Sequence, residues 1–193
     1  MTGNWRRISC GLVLAALLVA GCAGPTRFLD PEADLPYYQR VAVIPFACLA
    51  QDQLGGDKVS SVFYSELLRL SFAEVVEPGQ FAAAMIKARG GTPPASLWST
   101  ADLARLGEEA KVQAVFMGTV QEFDMTHAGR DSYPVVSLEA RLVDAATGRV
   151  VWSASETRRG GPSFPLLWWR EIHTMGNLMT AVCRDLLRTL PRG

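Results

Sequence analysis

Two hydrophobic rhythms succeed each other along the chain. Arg40-Val-Ala-Val-Ile-Pro-Phe46 is continuously apolar and β-branched, the pattern of a strand covered on both faces. A polar loop with Gly55 and Gly56 follows, with Asp57 placed to cap a helix. Val59, Val62, Phe63, Leu67 and Leu70 then recur at helical spacing opposite Ser61, Ser65 and Arg69. Phe72–Glu77 reads as a second short strand, closed by Pro78-Gly79. Phe81, Ala84, Met85 and Ala88 mark a second helix that ends at Gly90-Gly91. After a Pro-containing loop, Ser99-x-x-Asp102 has the form of a capping box and opens a third helix with Leu103 and Leu106 inward. Ala114–Phe123 is another mostly apolar strand centred on Gly118.

The period then changes to two. Val136, Leu138, Ala140 and Leu142 alternate with Ser137, Glu139 and Arg141, which predicts a strand buried on one face only. Asp144-Ala-Ala-Thr-Gly148 predicts a hairpin turn, and Val150, Trp152 and Ala154 continue the alternation beyond it. Trp168, Ile172, Met175, Met179, Val182 and Leu186 step by three and four and predict one long terminal helix. The order β-α-β-α-α-β, a β-hairpin and a C-terminal helix predicts an α/β fold with a single mixed sheet. Right-handed crossovers make the first three strands parallel, and the hairpin extends the sheet antiparallel.

The amino terminus carries a second message. Arg6 and Arg7 precede an apolar run from Ile8 to Ala20, too short to span a bilayer, which needs roughly 20 residues. Its end, Leu18-Val19-Ala20-Gly21-Cys22, resembles the lipobox of bacterial lipoproteins. That resemblance implies cleavage before Cys22, a thioether-linked diacylglycerol on its sulfur and an N-acyl chain such as palmitate. Two or three acyl chains anchor stably where one is marginal. Ala23, rather than Asp, resembles the pattern of delivery to the outer membrane. The expected organisation is a signal peptide over 1–21, a lipidated tether over 22–39 and a folded domain over 40–190. The tether, with Pro25, Pro31 and Pro36, is expected to be extended, reaching at most about 50 Å.

Charge and chemistry narrow the function. The 193 residues hold 19 basic and 19 acidic side chains, so no basic field exists to hold nucleic acid. No Gly-x-Ser-x-Gly elbow, His-Glu-x-x-His or Cys-x-x-Cys occurs, and the reading assigns no cofactor and no metal. Gly55-Gly-Asp-Lys-Val-Ser60 lacks the spacing of a phosphate loop, and Asp57 repels phosphate. His127 and His173 read as a loop residue and a helix-border residue. Once the signal is removed and Cys22 lipidated, Cys48 and Cys183 remain in an oxidising compartment, where a disulfide and two separate thiols are both open. Trp168 and Trp169 point about 100° apart on a helix, so one is a candidate partner or membrane anchor. Arg158 and Arg159 are candidates for an anionic lipid or glycan.

Three stretches taken in order, Arg40–Phe46, Ala114-Val-Phe-Met-Gly-Thr-Val120 and Leu142-Val-Asp-Ala-Ala-Thr-Gly-Arg-Val-Val-Trp152, resemble the CsgG superfamily of envelope lipoproteins. That superfamily includes the curli secretion channel lipoprotein and FlgO-like and LpoB-like lipoproteins, with a domain similar to the amino-terminal domain of TolB. The resemblance implies a periplasm-facing binding or assembly factor without enzymatic activity. Its partners would be the membrane, other envelope proteins and further copies of the same chain. Asp124–Pro134 is expected as a connection too short for a membrane-spanning hairpin, so the chain is not expected to form a channel itself. The alternatives are a regulator of a peptidoglycan synthase and an enzyme acting on envelope glycans through Glu122 and Asp124.

Overall fold

The computed structural model describes residues 24–93, 97–161 and 171–191. Seven strands and four helices follow one another as β1 (Thr26–Leu29), β2 (Arg40–Val43), β3 (Ala47–Cys48), α1 (Gly55–Leu70), β4 (Glu74–Val75), α2 (Pro78–Arg89), α3 (Thr100–Ala110), β5 (Ala114–Ala128), β6 (Asp131–Asp144), β7 (Val150–Arg159) and α4 (Met175–Leu187). They form one open mixed sheet in the order β1-β7-β6-β5-β2-β4, with β3 also on β5. β2 is parallel to β4 and β5, and β5, β6 and β7 are successively antiparallel, as the crossover argument predicted; β1 adds antiparallel to β7.

Uneven helix cover explains the two rhythms. On one face Val41, Ala114, Phe116, Leu138, Leu142 and Trp152 pack with Phe63 and Leu67 of α1 and with Val182 and Leu186 of α4. On the other, Ala42, Ile44, Val115 and Met117 pack with Phe81 and Met85 of α2 and Leu106 of α3. β2 and the first half of β5 are therefore apolar on both sides. Over β6 and β7 the α1/α4 face is covered, α2 and α3 reach the opposite face at Val143 and Val150, and the rest of that face keeps Ser137, Glu139, Arg141, Ser153 and Ser155.

Local signals account for the boundaries. Glu77 caps α2 by accepting from the Gln80 amide at 2.8 Å, and Gly90, at φ +80°, ends it. Ser99 and Asp102 form the predicted capping box. Asp144 accepts from the Thr147 amide at 2.8 Å, and Gly148 turns the chain at φ +71°. Asp57 lies in the first turn of α1, whose N-cap is Leu54 with no side-chain bond, so the predicted cap is not made.

Three further expectations change. The segment expected as a tether is stitched to the domain. Thr26–Leu29 pairs with Trp152–Ser155, Asp30 and Glu32 pair with Arg149, and buried Tyr38 donates to Asp144 at 3.2 Å. The connection 124–134 is a continuation of β5 and β6 as a hairpin, in register from Phe123↔Val136 to Ala128↔Asp131. The terminal helix starts at Met175, capped by Thr174, while Ile172 bridges Gly161 instead of joining the helical stripe. Cys48 and Cys183 are separate free thiols, one half-buried in β3 and one buried in α4. Trp168, Trp169 and the lipobox Leu18, Val19, Ala20, Gly21 with Cys22 lie outside the described residues.

Candidate functional site

The half of the sheet that α2 and α3 leave open builds the main concave surface. Directly opposed residues of antiparallel strands share a face. One row therefore runs Thr119–Glu139–Ser155–Thr26 across β5, β6, β7 and β1, and the next runs Met117–Arg141–Ser153–Phe28. Of these residues Glu139, Ser153, Ser155, Thr26 and Phe28 line an open trough of about 730 Å³ together with Gln121, Ser137 and Thr157, while Met117 lies buried beneath α2 and α3.

Its hydroxyls are already organised. Ser137 Oγ and Thr157 Oγ1 are 2.7 Å apart, and Ser137 also donates to Gln121 Oε1 at 3.2 Å. Thr26 Oγ1 and Ser155 Oγ are 2.7 Å apart and close the β1 side. Cross-strand hydroxyl pairs of this kind hold register on a face that has no apolar packing. The trough offers hydroxyls, the Gln121 amide and the Glu139 carboxylate, with Arg27, Arg158 and Arg159 also on its lining and the exposed Phe28 ring at its rim, which suits a polar partner bound by hydrogen bonds.

Beneath the trough, Glu156 faces the covered side. Its Oε1 lies 2.5 Å from Arg158, and Oε2 is buried without a partner among the described residues. Burial pushes its carboxyl above the usual range, and the nearby Asp185 adds to the effect. Arg158 also reaches Asp185 of α4 at 2.8 Å, so it ties β7 to the helix rather than standing free for an anionic ligand. Arg159 is exposed and paired in register with Val135.

The remaining sequence candidates fall elsewhere. Glu122 and Asp124 are exposed and border a shallower pocket of about 360 Å³ beside Leu49, and Asp124 accepts from the Met125 amide at 2.7 Å. His127 is exposed near the hairpin tip, and His173 pairs with Glu171 at 2.9 Å beside the Tyr133 ring. Gly55 and Gly56 serve packing: a Cβ on Gly56 would meet the Phe46 carbonyl oxygen at 2.4 Å. Among the described residues no His, Cys, Asp and Glu cluster has the make-up of a metal site, and no helix is long and apolar enough to cross a membrane. The hydroxyl rows were invisible to sequence reasoning, because they exist only once strand register is fixed.

The fold is a half-covered mixed sheet with one open polar flank, and two solved structures share it, with a third aligning more weakly. A PelC dodecamer from Paraburkholderia phytofirmans aligns at a TM-score of 0.58 and 22% identity, over 84% of this chain and 93% of that one. Lipoprotein GNA1162 from Neisseria meningitidis aligns at 0.56 and 24% identity, over 77% of this chain and 98% of that one. The LpoB C-terminal domain from Salmonella enterica aligns at 0.47 and 15% identity, over 77% and 93%. No family model and no curated protein matches the sequence, so the resemblance to the CsgG superfamily rests on its three stretches alone.

Proposed function

We propose that the protein is a lipid-anchored, non-catalytic binding or assembly factor of the bacterial envelope, held on the outer membrane with its domain facing the periplasm. One observation carries the reading: a lipobox ending at Cys22 is followed almost at once by a strand of the folded sheet. The open hydroxyl-lined trough then supplies a binding surface. Assembly of several copies, as in the PelC dodecamer, and a CsgG-like part in building or exporting a surface structure both fit such a factor. Regulation of a peptidoglycan synthase is the second reading, and the short connection to Cys22 requires a synthase domain that itself approaches this membrane.

Cys22→Ala tests the anchor. By intact mass the wild type is expected as a chain that begins at an acylated Cys22, and the variant as an unacylated chain that keeps its signal; a wild type without acyl groups refutes the reading. Crosslinking in intact envelopes, with adducts identified by mass, tests the role. A ladder of self-adducts supports ring assembly, a single foreign adduct names the partner, and a synthase in that adduct favours the second reading.

A further inference from the structure

The lipid on Cys22 constrains more than location. Three residues separate Cys22 from Thr26, so the sulfur stays within about 14 Å of the β1 backbone. Thr26 opposes Ser155, which opposes Glu139, a residue in the middle of β6. From Glu139 the sheet runs nine residues to Arg130 at the hairpin tip, about 30 Å, and five residues the other way to Asp144, about 17 Å. The anchor therefore enters at the middle of the long β7 edge, and both ends of the sheet lie beyond its reach.

That geometry excludes an end-on stance. With the hairpin directed at the bilayer, its tip would pass the anchored sulfur by about 16 Å and enter the hydrocarbon. The hairpin carries Asp124, Thr126, His127, Arg130 and Asp131, and charged groups do not enter that layer without partners. With the opposite end directed at the bilayer, the body of the domain beyond Asp144 would occupy the space between β1 and the membrane.

We infer that the domain docks edge-on: β1 lies against the lipid headgroups, with the strands parallel to the membrane plane and β4 farthest away. This inference rests on lipidation at Cys22. The β1 side chains fit a headgroup surface. All four are exposed, and Phe28 and Leu29, 50% and 37% accessible, are large apolar groups on the two sides of the edge. Arg27 makes no ion pair among the described residues and suits an anionic headgroup. With a strand spacing of about 4.8 Å, β4 sits about 24 Å farther from the surface than β1. The polar trough then stands upright on the membrane, open to a partner approaching along it.

The test uses full-length lipidated protein with Cys48→Ser, reconstituted in vesicles of phosphatidylethanolamine and phosphatidylglycerol that contain a headgroup-labelled quencher lipid. A fluorophore is placed on a cysteine introduced singly by Arg27→Cys, Gln121→Cys, Glu74→Cys, Arg130→Cys or Thr147→Cys. Edge-on docking predicts quenching that falls in the order 27, 121, 74, with at least a twofold drop from the first to the last. Positions 130 and 147, at opposite ends of the sheet, are expected to be quenched alike. Strongest quenching at 130 with decay toward 147, or equal quenching everywhere, overturns the orientation while leaving the anchor intact. A chain that lacks acyl groups by mass and fails to float with the vesicles overturns the anchor itself, and with it this inference.

Discussion

The bond between Trp152 and Thr189 offers a quantitative check on how the carboxyl-terminal segment is held. Trp152 is fully buried on β7, edge-to-face with Phe116 at 6.1 Å, and its indole N–H donates to Thr189 Oγ1 at 3.1 Å. Thr189 in turn donates to the Leu186 carbonyl at 2.7 Å, so one hydroxyl joins the hairpin to the end of α4. Trp152→Phe removes the hydrogen bond, worth about 1 kcal/mol, and part of a buried ring system, worth about 1–2 kcal/mol more. Thr189→Val leaves the indole N–H buried without an acceptor, at a cost of about 1–3 kcal/mol. The two variants share the same bond, so together they should cost about 1 kcal/mol less than the sum of the single losses. Urea unfolding of all four proteins, followed by far-UV circular dichroism, measures that coupling without relying on indole fluorescence. Each kcal/mol also corresponds to about 2–4 °C of melting temperature at this size. A coupling within about 0.3 kcal/mol of zero would show that the two side chains act independently, and the reasoning would fail.

Three other outcomes follow from the same coordinates. Gly118→Ala places a Cβ 2.7 Å from the Glu139 carbonyl oxygen and 2.7 Å from the Phe46 ring. It should lower stability by about 1–3 kcal/mol, with partial recovery on adding Phe46→Leu; full stability of the single variant contradicts the close approach. Glu156 has a raised folded-state pKa, so its contribution is most favourable below the unfolded carboxyl range and is lost as pH rises through the folded value. The stability of wild type minus that of Glu156→Gln should therefore increase as pH falls from neutral toward the ordinary carboxyl pKa, and a flat difference refutes the burial argument. Cys183 is buried and its thiol is pushed up to about 12, so maleimide should modify Cys48 well ahead of it in folded Cys22→Ala protein. In urea without reductant Cys48 and Cys183 should both react, whereas reaction of neither would mean that the pair is bridged.

What the sequence disclosed follows from how completely each element is covered. β2 and α1 lie inside the core and show it as uninterrupted or 3.6-period apolar positions, so both were legible. β6 and β7 are covered on one face, and their strict alternation announced that directly. β1 is exposed at all four positions, so no periodicity marks it, and Pro25 and Pro31 made the segment resemble a tether. The hairpin beyond Phe123 projects past the core, and a strand wet on both sides loses its alternation. α4 starts later than its stripe implied because Ile172 keeps the apolar spacing while its backbone bridges Gly161. The trough depends on which residue opposes which across four strands, information that no single segment contains. Cys22, by contrast, belongs to a linear motif, and its reading rests on the sequence alone.

Both edges of the sheet are short, four residues in β1 and two in β4, and β1 covers only Trp152–Ser155 of the ten-residue β7. The strand that shields this edge is also the segment that leads to Cys22, the proposed lipid site. A protease cutting just after Leu29 would release the domain from its membrane and, in the same event, bare the backbone donors and acceptors of β7. An uncovered edge of that length is a template for pairing with other chains. With the proposed anchor at Cys22, shedding would thus yield an association-prone fragment rather than a stable soluble form, and the same few residues would serve both membrane residence and solubility of the fold.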